Sequence, residues 1–281
     1  MFHLVTVATH SERYLPVLEK QAENNGTKLV KLGMGKKYVG HFMKDLEMME
    51  YLKTVDRNDI VAFVDGFDSL MLSDVNEVLA KFNSMNAELV LSVENIGFLS
   101  FIHATVFERV KGKYLNTGLY MGRAGFLLDF LTDMYKSDYN KTSNQKTWCS
   151  YLFKLDREGR FDGIKLDNES TIFLNHSFTT ANHPVFKDKR ITIDNGEKPC
   201  FIQGNGCEDM TYIINGTGYK AQNVHQDEFL KKKIMYSAKA AFKVYTPILT
   251  FYVFLVFILI YVLGYLAYKA YKHRGDKNFY F

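Results

Sequence analysis

Residues 60–68 read Ile60-Val61-Ala62-Phe63-Val64-Asp65-Gly66-Phe67-Asp68, and this stretch decides the fold. Five consecutive apolar residues, rich in β-branched side chains and without polar alternation, mark a strand buried on both faces, as the strands of parallel sheets are. An acidic turn follows at once. In open α/β sheets ligands bind beyond the carboxyl ends of the strands, and two carboxylates three positions apart across a glycine turn can face one bound ion. Hard oxygen ligands suit Mg²⁺ or Mn²⁺, and an ion held this way can bridge a diphosphate and neutralise it as a leaving group. Aspartates at strand ends also close turns through their own side chains, so the pair by itself leaves both readings open.

On either side of this stretch, strand-like and helix-like segments alternate. Leu4 to Thr9 reads as a strand, Leu15 to Asn24 as a helix stopped at Gly26, and Leu29 to Leu32 as a strand ending in Gly33-Met34-Gly35. Phe42, Leu46, Met49 and Leu52 recur at intervals of three and four, one apolar helix face. Val75 to Met85 is the next helix, with Val75, Val78, Leu79 and Phe82 inward, and Leu89 to Val93 the next strand. This alternation is α/β with a doubly wound sheet. Beyond Asp156 the pattern changes to short strands among polar loops: Ile164 to Leu166, Ile172 to Leu174, Ile191 to Ile193 and Phe201-Ile202.

Composition excludes several classes. The chain has 281 residues, 47% hydrophobic and 23% charged, an ordinary globular balance that rules out a disordered or fibrous protein. Its three cysteines, Cys149, Cys200 and Cys207, show neither a disulfide framework nor the paired spacing of a zinc site. The histidines are scattered without ligand spacing, and Gly33-Met34-Gly35 lacks the third glycine of a dinucleotide fingerprint. The net charge of +4 comes from the end of the chain, because residues 1–228 carry 26 Lys/Arg against 30 Asp/Glu. That acidic body argues against a nucleic-acid partner.

The C-terminal part reads as membrane-bound. From Val244 to Tyr268 no side chain is charged, and 25 residues make a helix of about 37 Å, enough to cross a bilayer. Tyr245, Tyr265 and Tyr268 stand near its ends, and Lys residues flank it on both sides, so charge asymmetry does not orient it. The sequence divides into a body over 1–228, a basic connector over 229–243, a transmembrane helix over 244–268 and a short basic tail over 269–281. With no signal peptide at Met1 to His10, the expectation is a single-pass tail anchor with a cytosolic body, whose N-x-S/T sites at Asn25, Asn140, Asn168, Asn175 and Asn215 would stay bare.

Five segments occur in order: Val5-Thr6-Val7-Ala8-Thr9, Lys31-Leu32-Gly33-Met34-Gly35, Val64-Asp65-Gly66-Phe67-Asp68, Tyr114-Leu115-Asn116-Thr117-Gly118-Leu119-Tyr120-Met121-Gly122 and Gly204-Asn205-Gly206. Together they resemble the glycosyltransferase domain of the procollagen lysyl hydroxylases, over roughly residues 4 to 220. The resemblance implies a GT-A-like, Rossmann-like mixed sheet flanked by helices. It also implies a UDP-sugar donor with Mn²⁺ or Mg²⁺, and transfer of galactose or glucose to an acceptor hydroxyl on a protein or glycan, in that family the hydroxylysine of collagen.

Carried over by position, Asp65, Asp68 and Gln203 would hold the metal and Phe67 would pack near the uracil. Thr6 and Thr9 would line the nucleotide pocket, Lys44 would lie near the donor phosphates, and Asn116, Gly118, Asn205 and Gly206 would sit beside the donor. Asn144, Gln145 and Trp148 occupy the place of the family's acidic acceptor-handling stretch. Lys44 is equally readable as a solvated helix start, and Trp148 as core packing with Tyr151 and Leu152.

Two departures matter. Gln203 stands where the family has a metal-binding histidine, and Asp209 where it has a phosphate-binding lysine; a carboxylate pointing inward there would repel a diphosphate. Two function classes therefore stay open, an active hexosyltransferase and a catalytically silent, membrane-held binding or partner protein.

Overall fold

The computed structural model describes residues 1–94, 108–137, 143–177, 184–187, 190–205, 208–220, 231, 235, 246–247 and 250–266. Two units separate, Met1–Lys233 and Ile234–Phe281.

The first unit is built on a six-stranded sheet. Its strands are β1 (Phe2–Val7), β2 (Leu29–Leu32), β3 (Ile60–Val64), β5 (Leu89–Glu94), β6 (Tyr114–Arg123) and β7 (Ile164–Asp167), in the order β2-β1-β3-β6-β5-β7. A second sheet has the order β4-β11-β8, from β4 (Ser69–Met71), β8 (Phe173–His176) and β11 (Phe201–Gly204), and β9 (Val185–Lys187) pairs with β10 (Arg190–Thr192). The helices are α1 (Leu15–Asn24), α2 (Met43–Leu52), α3 (Val75–Ser84), α4 (Ala124–Lys136), α5 (Asn144–Arg157) and α6 (Thr211–Gly216).

The unbroken apolar run of β3 is explained by what lies on either side. Val61 and Phe63 point into a core shared with Met48, Leu127, Phe130 and Trp148, while Ala62 and Val64 point into another shared with Leu15, Leu18, Val78 and Phe82. All four are fully buried, and burying a Val or Phe side chain contributes about 1.5–3 kcal/mol. A charge at Phe63 would break both the packing and the strand. Helix starts follow the sequence locally: Asp74 caps α3 by accepting from the N–H of Asn76 (2.8 Å) and Glu77 (3.1 Å), and Ser143 caps α5 by accepting from that of Lys146 (3.3 Å).

The sheet is mixed, as the resemblance implies, because β6 runs antiparallel to both β3 and β5. Two expectations are corrected. The first strand ends at Val7, so Thr9 lies in the following turn. The buried face of α2 is Met43, Asp45, Met48 and Leu52, so of the apolar positions chosen from spacing only Leu52 is fully inside. A carboxylate occupies a core position that an apolar-spacing argument cannot anticipate.

In the second unit residues 250–266 are helical, and their large apolar side chains are exposed, Phe257 by 66% and Tyr261 by 75%. Among the described residues no helix is long and apolar enough to cross a membrane. The span expected over 244–268 includes positions outside the described residues.

Candidate active site at the carboxyl edge of the sheet

The site forms where β3 ends. Asp65 leaves the strand with its N–H donating to the carbonyl of Gly118 (2.8 Å). After the turn, Asp68 leads directly into β4, whose Ser69 is paired with Gln203 of β11. That antiparallel pairing brings position 203 to positions 65 and 68: Gln203 Nε2 donates to Asp65 Oδ2 (3.1 Å) and to Asp68 Oδ1 (3.3 Å). Lys44, at the start of α2, completes the group with an ion pair to Asp65 Oδ1.

The group is shielded from water. The Lys44 and Asp65 side chains are 20% and 17% exposed. Burial first, then the neighbouring Asp65 charge, pushes the Asp68 carboxyl up to about 7, against the opposing pull of Arg13, Lys44 and the Gln203 hydrogen bond. Burial would lower the Lys44 ammonium, but the charge and hydrogen bond of Asp65, with Asp68 beyond, outweigh it and raise it.

The backbone makes room for this arrangement. β6 is bulged opposite Leu91 and Ser92, which pair with Tyr120 and Asn116, so Thr117, Gly118 and Leu119 are extra residues on the β6 side. The N–H of Gly118 is taken by the side chain of Asn116 (2.7 Å). A methyl group on Gly118 would lie 2.2 Å from Gln203 Oε1 and 2.3 Å from Nε2, so glycine there is what seats the amide between the aspartates. Gly66 similarly lets the turn close over Thr6, whose Oγ1 would stand 2.8 Å from an added Cβ.

Two carboxylates and one amide are the groups here that could hold a hard cation. Gln203 Oε1 is buried and has no hydrogen-bond partner, and it belongs to the amide that already touches both carboxylates. Amide oxygen and nitrogen exchange places on a half-turn about the last side-chain bond, which would turn this oxygen toward Asp65 and Asp68. Among the described residues no three His, Cys, Asp or Glu side chains are grouped to hold a metal, because the third oxygen here is an amide.

Around this centre the structure sorts the remaining candidates. Asn116 and Asn205 both donate from Nδ2 to Oε1 of Glu94, at 2.8 and 3.1 Å, and so form one polar floor. Sequence reading missed Glu94. Its signal was available, since Glu94 ends β5 at the same sheet edge where Asp65 follows β3. Thr6 is buried with Oγ1 unpartnered. Thr9 contacts His10 (Oγ1 to Nδ1, 3.0 Å), and the His10 ring lies 5.2 Å from that of Phe67, so these residues form one rim.

Asn144 and Gln145 open α5, with Gln145 Nε2 donating to the carbonyl of Leu115 (3.0 Å), next to Asn116. Trp148 is fully buried, its ring 4.9 Å from Tyr120 and 5.0 Å from Phe130, so it is core and offers no face to a sugar. Asp209 does not point at the carboxylates: its Oδ1 accepts from Thr211 N–H (2.9 Å) and from the Tyr14 hydroxyl (3.3 Å), holding the start of α6. Gly206 and Cys207 lie outside the described residues.

A mixed α/β sheet with this acidic cluster at its carboxyl edge and the family match over the same residues together define a glycosyltransferase domain. Residues 1–228 match the model of the PLOD GT domain, and the chain belongs to that family. It is 24% identical over 162 residues to the procollagen-lysine,2-oxoglutarate 5-dioxygenase of Drosophila melanogaster, covering 57% of this chain and 21% of that protein. It is 23% identical over 217 residues to an uncharacterized protein of Acanthamoeba polyphaga mimivirus, covering 72% of this chain and 45% of the other. The chain thus spans less than half the length of either relative.

Among solved structures, similarity extends to a glycosyltransferase involved in glycosylation of the major capsid of PBCV-1 (TM-score 0.45, 9% identity, 83% of this chain and 98% of that one). It also extends to the galactosyltransferase LgtC in complex with donor and acceptor sugar analogs (TM-score 0.42, 12% identity, 83% and 95%). The family match carries the assignment.

Proposed function

We propose that the protein transfers a hexose, galactose or glucose, from a UDP-sugar to an acceptor hydroxyl in a reaction dependent on Mn²⁺ or Mg²⁺. The observation that carries this reading is the convergence of Asp65, Asp68 and the Gln203 amide, whose Oε1 has no hydrogen-bond partner, at the carboxyl edge of the sheet. Asp65, Asp68 and Gln203 would hold the divalent ion, which when bound supplies positive charge to the leaving diphosphate. The chain's own residues do the rest. Lys44 provides a fixed cation at Asp65, and Glu94 locks Asn116 and Asn205 as hydrogen-bonding groups for the sugar. Phe67 and His10 offer an aromatic wall for the base.

The acceptor reading rests on the family alone, and a hydroxylysine of a collagen-like protein is the candidate. For localisation, the reading is a C-terminal anchor over 244–268 with the body in the cytosol. Asn168 and Asn215 are exposed and Asn175 is buried, so protease added to sealed microsomes should digest the body, whereas a glycan on Asn168 would reverse the orientation.

A second reading, a catalytically silent partner protein, is favoured by one feature: Lys44 and Gln203 Nε2 already satisfy the two carboxylates without any ligand. Incubating the full chain with a panel of UDP-sugars and Mn²⁺, and scoring UDP release, separates the two. Release with one sugar establishes the enzyme, and no release with any, despite UDP binding, establishes the silent form.

A further inference from the structure

One buried carboxylate is used by nothing described so far. Asp45 is 1% exposed and sits among the apolar residues of α2, where its Oδ1 accepts from the Trp148 indole N–H (3.1 Å). A carboxylate in a core is costly, and an apolar residue of similar size commonly serves stability as well or better. Its presence calls for a reason of position.

The neighbours supply one. Trp148 is wedged between Tyr120 and Phe130, and Tyr120 stacks on Phe63 at 4.8 Å with an interplanar angle of 15°. Phe63 lies on β3, two residues before Asp65, which follows that strand. The indole is therefore fixed to the strand that carries the site. On the other side, Asp45 is the residue after Lys44, and successive residues on a helix are turned by about 100°. The angle at which Asp45 meets Trp148 sets the angle at which Lys44 meets Asp65.

We propose that Asp45 is a positioning residue for the donor site: anchored on the Trp148 indole, it fixes the rotation of α2 and so the aim of Lys44 at Asp65. The proposal rests on the reading that Lys44 serves the donor diphosphate. It assigns to Trp148 a functional part that is structural and indirect, in place of contact with a sugar.

The test is a double-mutant cycle on the full chain, reading the affinity for UDP in the presence of Mn²⁺ by calorimetry. Trp148→Phe keeps an aromatic ring but removes the N–H, and should weaken UDP about tenfold, as should Asp45→Leu. Asp45→Asn retains an oxygen acceptor for the indole and should bind UDP nearly as the wild type does. In a Lys44→Ala background, Trp148→Phe should cause no further loss, because the residue it aims is gone. A purely structural role would weaken UDP equally in both backgrounds, and that result overturns the proposal while leaving the donor site standing. Unchanged affinity in Lys44→Ala alone overturns the donor role of Lys44 and the proposal with it. If Asp45→Leu does not fold, Trp148→Phe carries the same comparison.

Discussion

Gly118→Ala tests the geometry of the site without replacing any of its polar groups. The added methyl carbon would lie 2.2 Å from Gln203 Oε1, 2.3 Å from Nε2 and 2.6 Å from Cδ, all well inside contact distance. Gly118 is not among the positive-φ glycines, so the backbone tolerates alanine and the effect is steric alone. The amide must leave the space between Asp65 and Asp68, and its two hydrogen bonds go with it. At a net of roughly 1 kcal/mol each, that is a loss of about 2 kcal/mol. Replacing glycine returns roughly 0.4–1 kcal/mol through the unfolded chain. The expected net cost is therefore about 1–1.5 kcal/mol, a fall in Tm of roughly 2–6 °C for a domain of this size. Chemical denaturation of four proteins completes the assay: wild type, Gly118→Ala, Gln203→Ala and the double variant. Alanine at 118 should cost nothing in the Gln203→Ala background, because no amide remains to be displaced. An equal cost in both backgrounds would refute the claim that Gly118 exists to seat Gln203.

Four further outcomes follow from contacts elsewhere in the site and the fold. Gln203→His should tighten Mn²⁺ binding, measured by calorimetry, because imidazole is a better ligand than an amide oxygen, whereas Asp209→Lys should lower stability by about 1 kcal/mol, read by chemical denaturation, through loss of its hydrogen bonds to the Thr211 N–H and the Tyr14 hydroxyl. Burial would raise the Glu77 carboxyl, but Arg190 and Lys81 outweigh it and hold it below its usual 4.5. A depressed carboxyl stabilises above its unfolded value and loses that contribution as pH falls through the folded one, so the stability gap between wild type and Glu77→Gln should be full at pH 7 and shrink below 4.5; a gap constant with pH would contradict it. Burial pushes the thiols of Cys149 and Cys200 up to about 12 and about 11, so neither should react with iodoacetamide at about pH 8 in the native protein, and mass spectrometry finding either labelled would count against the burial described.

Much of this architecture was legible in residues 60–68. A strand buried on both sides has to be apolar throughout, and the acidic turn after it marks the ligand edge, so Ile60–Val64 and the pair Asp65 and Asp68 could be read directly. Gln203 could be placed only through the family resemblance, because its approach to Asp65 depends on the pairing of β4 with β11, a contact between distant segments. The antiparallel course of β6, too, could be anticipated only through the resemblance, which implies a mixed sheet, since strand direction leaves no mark on a run buried on both faces. Trp148 could be read either as part of the acceptor stretch or as core packing with Tyr151 and Leu152, and its full burial bears out the second. Asp45 was not singled out, because apolar spacing leaves a carboxylate out of the core and its bond to the Trp148 indole joins distant segments. Asp209 shows the converse: an acid where the family has a base looked like a repulsive charge, but its partners are the α6 backbone and Tyr14.

The central claim is that Asp65, Asp68 and Gln203 form a cation and diphosphate site in a working glycosyltransferase. The most direct measurement is calorimetric binding of UDP to the full chain with and without Mn²⁺, in the wild type and in Asp65→Ala and Asp68→Ala. The account predicts Mn²⁺-dependent binding in the wild type, lost in both variants, with thermal melts showing both still folded because neither carboxylate is part of the apolar cores. Equal UDP affinity in all three proteins, indifferent to Mn²⁺, would contradict it.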